Sequence, residues 1–264
     1  MKLHDRIAIV TGAGRGIGRG CALTLAERGA DLFLNDRPGS PDLQATAEEV
    51  RALGRKCAII EADAFSRKGC EQIVTAALEN FPRIDILLSV PATSVRSPFL
   101  ELDPAGFNAT VNGTLTAGFH ISQMVARHMV ERGGGGKIVF ISSVQAVRPI
   151  AQSVAYGAAK AGLNHMMRTI AVELAPHRIN VNAIEPGWID TPAEHECFGS
   201  EFLAERGRAL PLGRLGRPDE IGKAAAYLVS SDAEYVTGAI LRVEGCFVYK
   251  DCGDESAASP RDGS

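Results

Sequence analysis

Residues 6–18 read Arg6-Ile7-Ala8-Ile9-Val10-Thr11-Gly12-Ala13-Gly14-Arg15-Gly16-Ile17-Gly18, and this stretch decides the fold. The run from Arg6 to Val10 is short and apolar, which predicts a buried parallel strand. The glycines after it predict a turn. Beyond the turn, Ile17, Cys21 and Leu25 fall on one helical face and Gly29 marks a helix stop. Where a glycine turn joins a first strand to a first helix, backbone N–H groups and the helix N-terminus can receive a pyrophosphate. The pattern is Thr-Gly-x3-Gly-x-Gly, at residues 11, 12, 16 and 18. It is not Gly-x-Gly-x-x-Gly, because the sixth position counted from Gly12 is Ile17. It is not a P-loop either, because no Gly-Lys-Ser/Thr follows. Gly12, Arg15, Gly16, Ile17 and Gly18 are the candidate phosphate cradle.

Working outward, strands and helices alternate. Strands are predicted at 31–35, 57–62, 85–90, 137–141, 179–184 and 239–243, with helices at 42–53, 67–80 and 104–132 and another running through Tyr156 to Leu174. Such alternation implies a Rossmann-type, doubly wound α/β fold: a seven-stranded parallel sheet with helices on both faces. The chain has 264 residues, 45% of them hydrophobic, which fits a single domain over 1–252. Residues 253–264 are polar and read as a disordered tail.

Composition excludes several classes. A net charge of -3 gives no basic field for nucleic acid. No apolar run approaches the roughly 20 residues of a membrane span, and no signal peptide is read at the start. The six cysteines form no CxxC and no zinc spacing, so they read as reduced thiols of a cytoplasmic protein. His195-Glu196-Cys197 is the one tight cluster of metal-ligand types, and it reads as a solvated loop, so no metal is expected.

The end of the second predicted strand carries Asp36. A carboxylate there can accept hydrogen bonds from the adenosine ribose hydroxyls and repel a 2′-phosphate. Arg15 and Arg37 pull the other way. NAD is favoured over NADP.

Tyr156 and Lys160 stand four residues apart in a predicted helix, one turn apart on one face. A phenol has an unperturbed pKa of about 10, and a neighbouring ammonium lowers it. The pair can then exchange a proton with an alcohol or carbonyl. Ser143 follows the apolar run 137–141, at a predicted strand end, where its hydroxyl can bond a substrate oxygen. A Tyr-Lys pair alone is usually an ordinary surface contact. Its weight comes from the nucleotide turn in the same chain.

These motifs, in this order, resemble the short-chain dehydrogenase/reductase family over about residues 3–250. The resemblance implies hydride transfer between a nicotinamide cofactor and a secondary alcohol or ketone, with Tyr156 as acid/base. Lys160 would tune Tyr156 and bind the nicotinamide ribose, Ser143 would orient the substrate, and Asn112 would hold a relay water. Asp63, with Ala64 beside it, falls where the family holds the adenine amine. Pro186, Gly187, Ile189 and Thr191 resemble the segment that contacts the carboxamide, and Asn182 before them reads as structural. One departure stands out: where the family has Asn-Asn-Ala-Gly, this chain has Ser89-Val90-Pro91-Ala92. Ala92 adds a Cβ beside the adenosine ribose and Pro91 removes an N–H. A non-catalytic NAD(P)-binding sensor or scaffold is the competing class. A serine hydrolase lacks its motif, since no Gly-x-Ser-x-Gly surrounds Ser143. Val144, Gln145, Arg148 and Trp188 are the candidate substrate pocket, under a mobile lid over 192–212. A sugar, polyol, 3-oxoacyl ester or steroid each remains open as substrate. The family's habit of assembly implies a homotetramer.

Overall fold

The apolar run becomes β1 (Ile7–Thr11), buried along its whole length. A computed structural model describes residues 2–252, and the tail expected at 253–264 lies outside the described residues. After β1 come α1 (Gly16–Glu27), β2 (Asp31–Asp36), α2 (Leu43–Ala52), β3 (Cys57–Glu61), α3 (Arg67–Asn80) and β4 (Ile86–Ser89). The second half holds α4 (Pro104–Val111), α5 (Ala117–Arg132), β5 (Gly136–Ile141), α6 (Val154–Leu174) and β6 (Ile179–Pro186). It ends with α7 (Pro192–Phe198), α8 (Ser200–Arg208), α9 (Pro218–Leu228) and β7 (Ile240–Val243).

The described strands form one seven-stranded sheet in the order β3-β2-β1-β4-β5-β6-β7. Every pair is parallel. Successive residues of β1 serve opposite faces, as a strand requires. Ala8 and Val10 join the core under α1, α2 and α9, whereas Ile7 and Ile9 join the core under α3, α5 and α6. The order reverses between β1 and β4. A crevice therefore opens beyond the C-terminal ends of β1 and β4, the usual place for a ligand in such a sheet.

Three local differences from the sequence reading matter. The helix expected over 104–132 is broken by a π-helical turn, Asn112–Thr116, in which the Ala117 N–H donates to the Asn112 carbonyl. The segment 192–212 contains two helices, not a loop. Thr191 caps α7 by accepting from the Glu194 N–H, Pro192 opens it, and Gly199, at φ 80, separates it from α8. The third difference is α9, opened by Pro218 with Asp219 and Glu220 in its first turn. Glu220 accepts from the Arg217 N–H at 2.7 Å. Among the described residues no helix is long and apolar enough to cross a membrane.

Candidate active site

The crevice holds a cavity of about 640 Å³ that runs from the glycine turn to Ser143, Tyr156, Lys160 and Trp188. A second cavity of about 230 Å³ adjoins it, lined by Asp36, Arg37, Asp63 and Ala64. Gly12, Arg15, Pro91 and Ala92 line both. The candidate cofactor residues thus form a continuous groove from the end of β2 to the ends of β5 and β6.

The groove fits a dinucleotide on its own geometry. Gly12 and Gly16 adopt φ of +64 and +55, which favours glycine at both positions. A Cβ on Gly18 would lie 1.9 Å from the Gly12 carbonyl oxygen, so only glycine lets α1 start so close to the turn. No side chain caps α1 and no acidic residue occupies its first turn. Its N–H groups and positive dipole end are open to an anion. At the far end the Asp36 carboxylate is fixed by the Gly14 N–H at 3.0 Å, the Ser40 hydroxyl at 3.0 Å and the Arg37 N–H at 2.8 Å. Arg15 forms a two-pronged ion pair with Glu196 of α7, at 2.5 and 3.1 Å. Pro186, Gly187, Ile189 and Thr191 line the main cavity at the end of β6. Asn182 is a structural residue: it accepts from the Ala239 N–H at 3.0 Å and donates to the Val236 carbonyl at 2.9 Å.

At the other end, Ser143 sits just beyond β5 and its oxygen accepts from the Gln145 N–H at 3.1 Å. The Ser143 hydroxyl also favours the ionised form of the Tyr156 hydroxyl. Lys160 is 2% exposed, and its Nζ donates to the Ile141 carbonyl at 2.7 Å, 5.5 Å from the centre of the Tyr156 ring. The trio lines one cavity, and its electrostatics are set by burial that sequence spacing does not carry. Burial pushes the Tyr156 phenol up to about 12, against a smaller lowering by Ser143. Burial also pushes the Lys160 amine down to about 7. Desolvation disfavours both charged forms. Burial and Ser143, rather than Lys160, dominate the shift of the Tyr156 phenol.

Two expected site residues stand apart from the cavity. Asn112 is exposed, and its side chain accepts from the Thr116 hydroxyl at 3.4 Å. The π-helical turn places it outside the lining. Arg148 is also not a lining residue. Its guanidinium donates to the Val248 carbonyl at 2.6 Å, pairs with Asp251 and lies over the Phe247 ring, so the C-terminal segment consumes it. Val144, Gln145 and Trp188 do line the cavity. So do Glu194, Phe198 and Phe202 of the expected lid. The His195-Glu196-Cys197 cluster is otherwise engaged: His195 bonds Asp190 at 2.6 Å and Ser200 at 2.8 Å, while Glu196 holds Arg15. Among the described residues no group of three such side chains could hold a metal. Arg96, Ile150 and Phe247 line the cavity without a signal in the sequence. Each arrives from a loop or short turn with no motif.

A sheet of this order, a glycine turn at its switch point and a Ser-Tyr-Lys trio across the crevice define a dinucleotide-dependent oxidoreductase class. The chain belongs to the short-chain dehydrogenase/reductase family. A family model described as enoyl-(acyl carrier protein) reductase matches residues 12–247. The L-rhamnose 1-dehydrogenase (NAD(P)(+)) of Azotobacter vinelandii is 37% identical over 250 residues, 93% of this chain and 97% of that protein. Acetoin dehydrogenase from Enterobacter cloacae superposes with a TM-score of 0.84 at 34% identity, covering 98% of each chain. A 7α-hydroxysteroid dehydrogenase, solved with NADH and 7-oxo glycochenodeoxycholic acid, gives 0.87 at 32% identity, over 92% of this chain and 94% of that one. These relatives are oxidoreductases, which supports a nicotinamide cofactor here.

Proposed function

We propose that the chain transfers hydride between NAD and a secondary alcohol or ketone, with Tyr156 as the proton-transfer group. The observation that carries this is the junction of Ser143, Tyr156 and Lys160 with the glycine turn in one cavity. A bound nicotinamide dinucleotide supplies or accepts the hydride. The turn and the N-terminus of α1 would bind its pyrophosphate, Asp36 its ribose hydroxyls, and Asp63 and Ala64 its adenine end.

The residues divide the remaining work. Ser143 orients the substrate oxygen and Tyr156 gives or takes its proton. With the phenol raised to about 12, Tyr156 is a neutral donor at physiological pH, the form that reduces a carbonyl. Oxidation of an alcohol needs the phenolate and gains with rising pH. Asn112, in the π-helical turn, would help hold a water that relays the proton. NAD is favoured because Arg15 is held by Glu196 while Asp36 lies open to the adenosine end.

The exposed apolar side chains Phe107 on α4, Phe119 on α5 and Val172 on α6 support a homotetramer assembled through these helices. The free cysteines suit the reducing cytoplasm. A turnover screen of secondary alcohols and ketones with NAD and NADP tests the reading. Saturable turnover of at least one compound is expected. Dinucleotide binding without turnover of any compound would favour a sensor or scaffold instead.

A further inference from the structure

Three cations line the main cavity among the described residues: Arg15, Lys160 and Arg96. Arg15 is paired with Glu196, and Lys160 donates to the Ile141 carbonyl. Among the described residues Arg96 has neither a hydrogen bond nor an ion pair. Its guanidinium lies over the Phe198 ring, 5.6 Å from its centre. That ring stacks on Phe202 at 5.7 Å, and Trp188 meets both edge-on. Arg96 is exposed; the platform locates its guanidinium through its face and leaves its N–H donors, which lie in the guanidinium plane, without a protein acceptor. The one carboxylate in the lining, Glu194, accepts from the Trp188 indole at 2.5 Å and makes no ion pair with Arg96.

We propose that Arg96 is the recognition site for an oxyanion on the substrate, so that the compound turned over is an acid, carrying a carboxylate or phosphate together with the reacting alcohol or ketone. The proposal rests on the oxidoreductase reading for the reacting end and on Arg96 for the other. A fork of donors in one plane matches a carboxylate in a two-pronged pair, and the same donors take a phosphate. In the reduction, hydride adds to the carbonyl carbon and Tyr156 protonates its oxygen, giving the hydroxy acid as the dihydronicotinamide is oxidised. The anionic group takes no part in these bond changes. Phe198 and Phe202 belong to α7 and α8, so the position of Arg96 depends on the segment that covers the site.

The test compares free acids with neutral partners. Acetoacetate and levulinate are assayed against their methyl esters, and dihydroxyacetone phosphate against dihydroxyacetone, with both dinucleotides. A charge-assisted pair predicts an acid-to-neutral kcat/KM ratio of about 10 to 100 in at least one pair. Preference within the keto acids, or for the phosphate, identifies the oxyanion. Arg96→Gln should bring that ratio to about one, and Arg96→Lys should keep part of it. Equal turnover of acid and neutral partner, or a ratio unchanged in Arg96→Gln, overturns the proposal. Binding is read independently through Trp188, the single tryptophan of the chain. Its fluorescence should change saturably with at least one of the three acids in the wild type and not in Arg96→Gln. If nothing turns over but that Arg96-dependent signal remains, the oxyanion site stands and the hydride-transfer reading falls. If the signal is also missing, the oxyanion site falls.

Discussion

Lys160→Met should stabilise the protein while ending its activity. The Lys160 amine falls from 10.5 to about 7 because it is buried. At about 1.4 kcal/mol per pH unit, holding this side chain in the fold costs about 4 kcal/mol at neutral pH. The sign follows from proton counts. Below 7 both folded and unfolded chains keep the proton, and the full cost is present. Between about 7 and 10.5 the unfolded chain keeps it and the folded chain releases it, so stability rises with pH through this window. Methionine removes the cost and fills a similar volume. It also takes away the donor to the Ile141 carbonyl, which costs about 1–3 kcal/mol. The net expectation near neutral pH is a gain of about 1–3 kcal/mol. Urea unfolding at fixed protein concentration, repeated between about pH 7 and 9, measures it. The three buried thiols oppose this trend equally in both proteins, so the readout is the difference: the gain of the variant over wild type should shrink by about 1 kcal/mol per pH unit across that range. Parallel pH profiles, or a variant less stable than wild type near pH 7, would refute the burial argument. A stabilised and inactive variant would mark Lys160 as kept for function at a cost in stability.

Other perturbations probe the cofactor groove. Asp36→Ala should raise the NADP-to-NAD ratio of kcat/KM by about tenfold or more, because a charge-assisted bond to the ribose is lost and repulsion of a 2′-phosphate is relieved. An unchanged ratio, or a wild type that already prefers NADP, would show that Arg15 and Arg37 dominate. Glu196→Gln should release Arg15 and raise the same ratio by a few-fold, in keeping with the modest worth of an exposed ion pair. No change in the ratio would show that Arg15 does not reach the 2′ position. Ala92→Gly should tighten NAD binding in a calorimetric titration, by more than it alters kcat. Equal dissociation constants would show that the backbone at Pro91-Ala92 already clears the ribose.

The strand, turn and helix of residues 6–27 were legible because each local signal points the same way: an apolar run, glycines, then helical spacing. The catalytic trio was legible as spacing but not as electrostatics. Four residues of helix place Lys160 beside Tyr156 whatever surrounds them, whereas their pKa values depend on burial that only the folded chain supplies. The π-helical turn at Asn112 was hidden because the apolar pattern continues through it with no proline at the break. Arg148 sits two residues beyond the short turn after Ser143, which made it a pocket candidate. Its consumption by Val248 and Asp251 is a contact across 100 residues of sequence or more, with no local trace. Arg96 and Phe247 entered the cavity by the same kind of long-range closure.

Proton transfer by Tyr156 is tested most directly by Tyr156→Phe, assayed against the best compound of the turnover screen with dinucleotide binding titrated in parallel. Only the hydroxyl is removed, so dinucleotide should still bind with a dissociation constant within a few-fold of wild type. Turnover should fall by about 100-fold or more, the usual worth of a positioned acid/base. Turnover within a few-fold of wild type at several pH values would contradict the assignment of Tyr156.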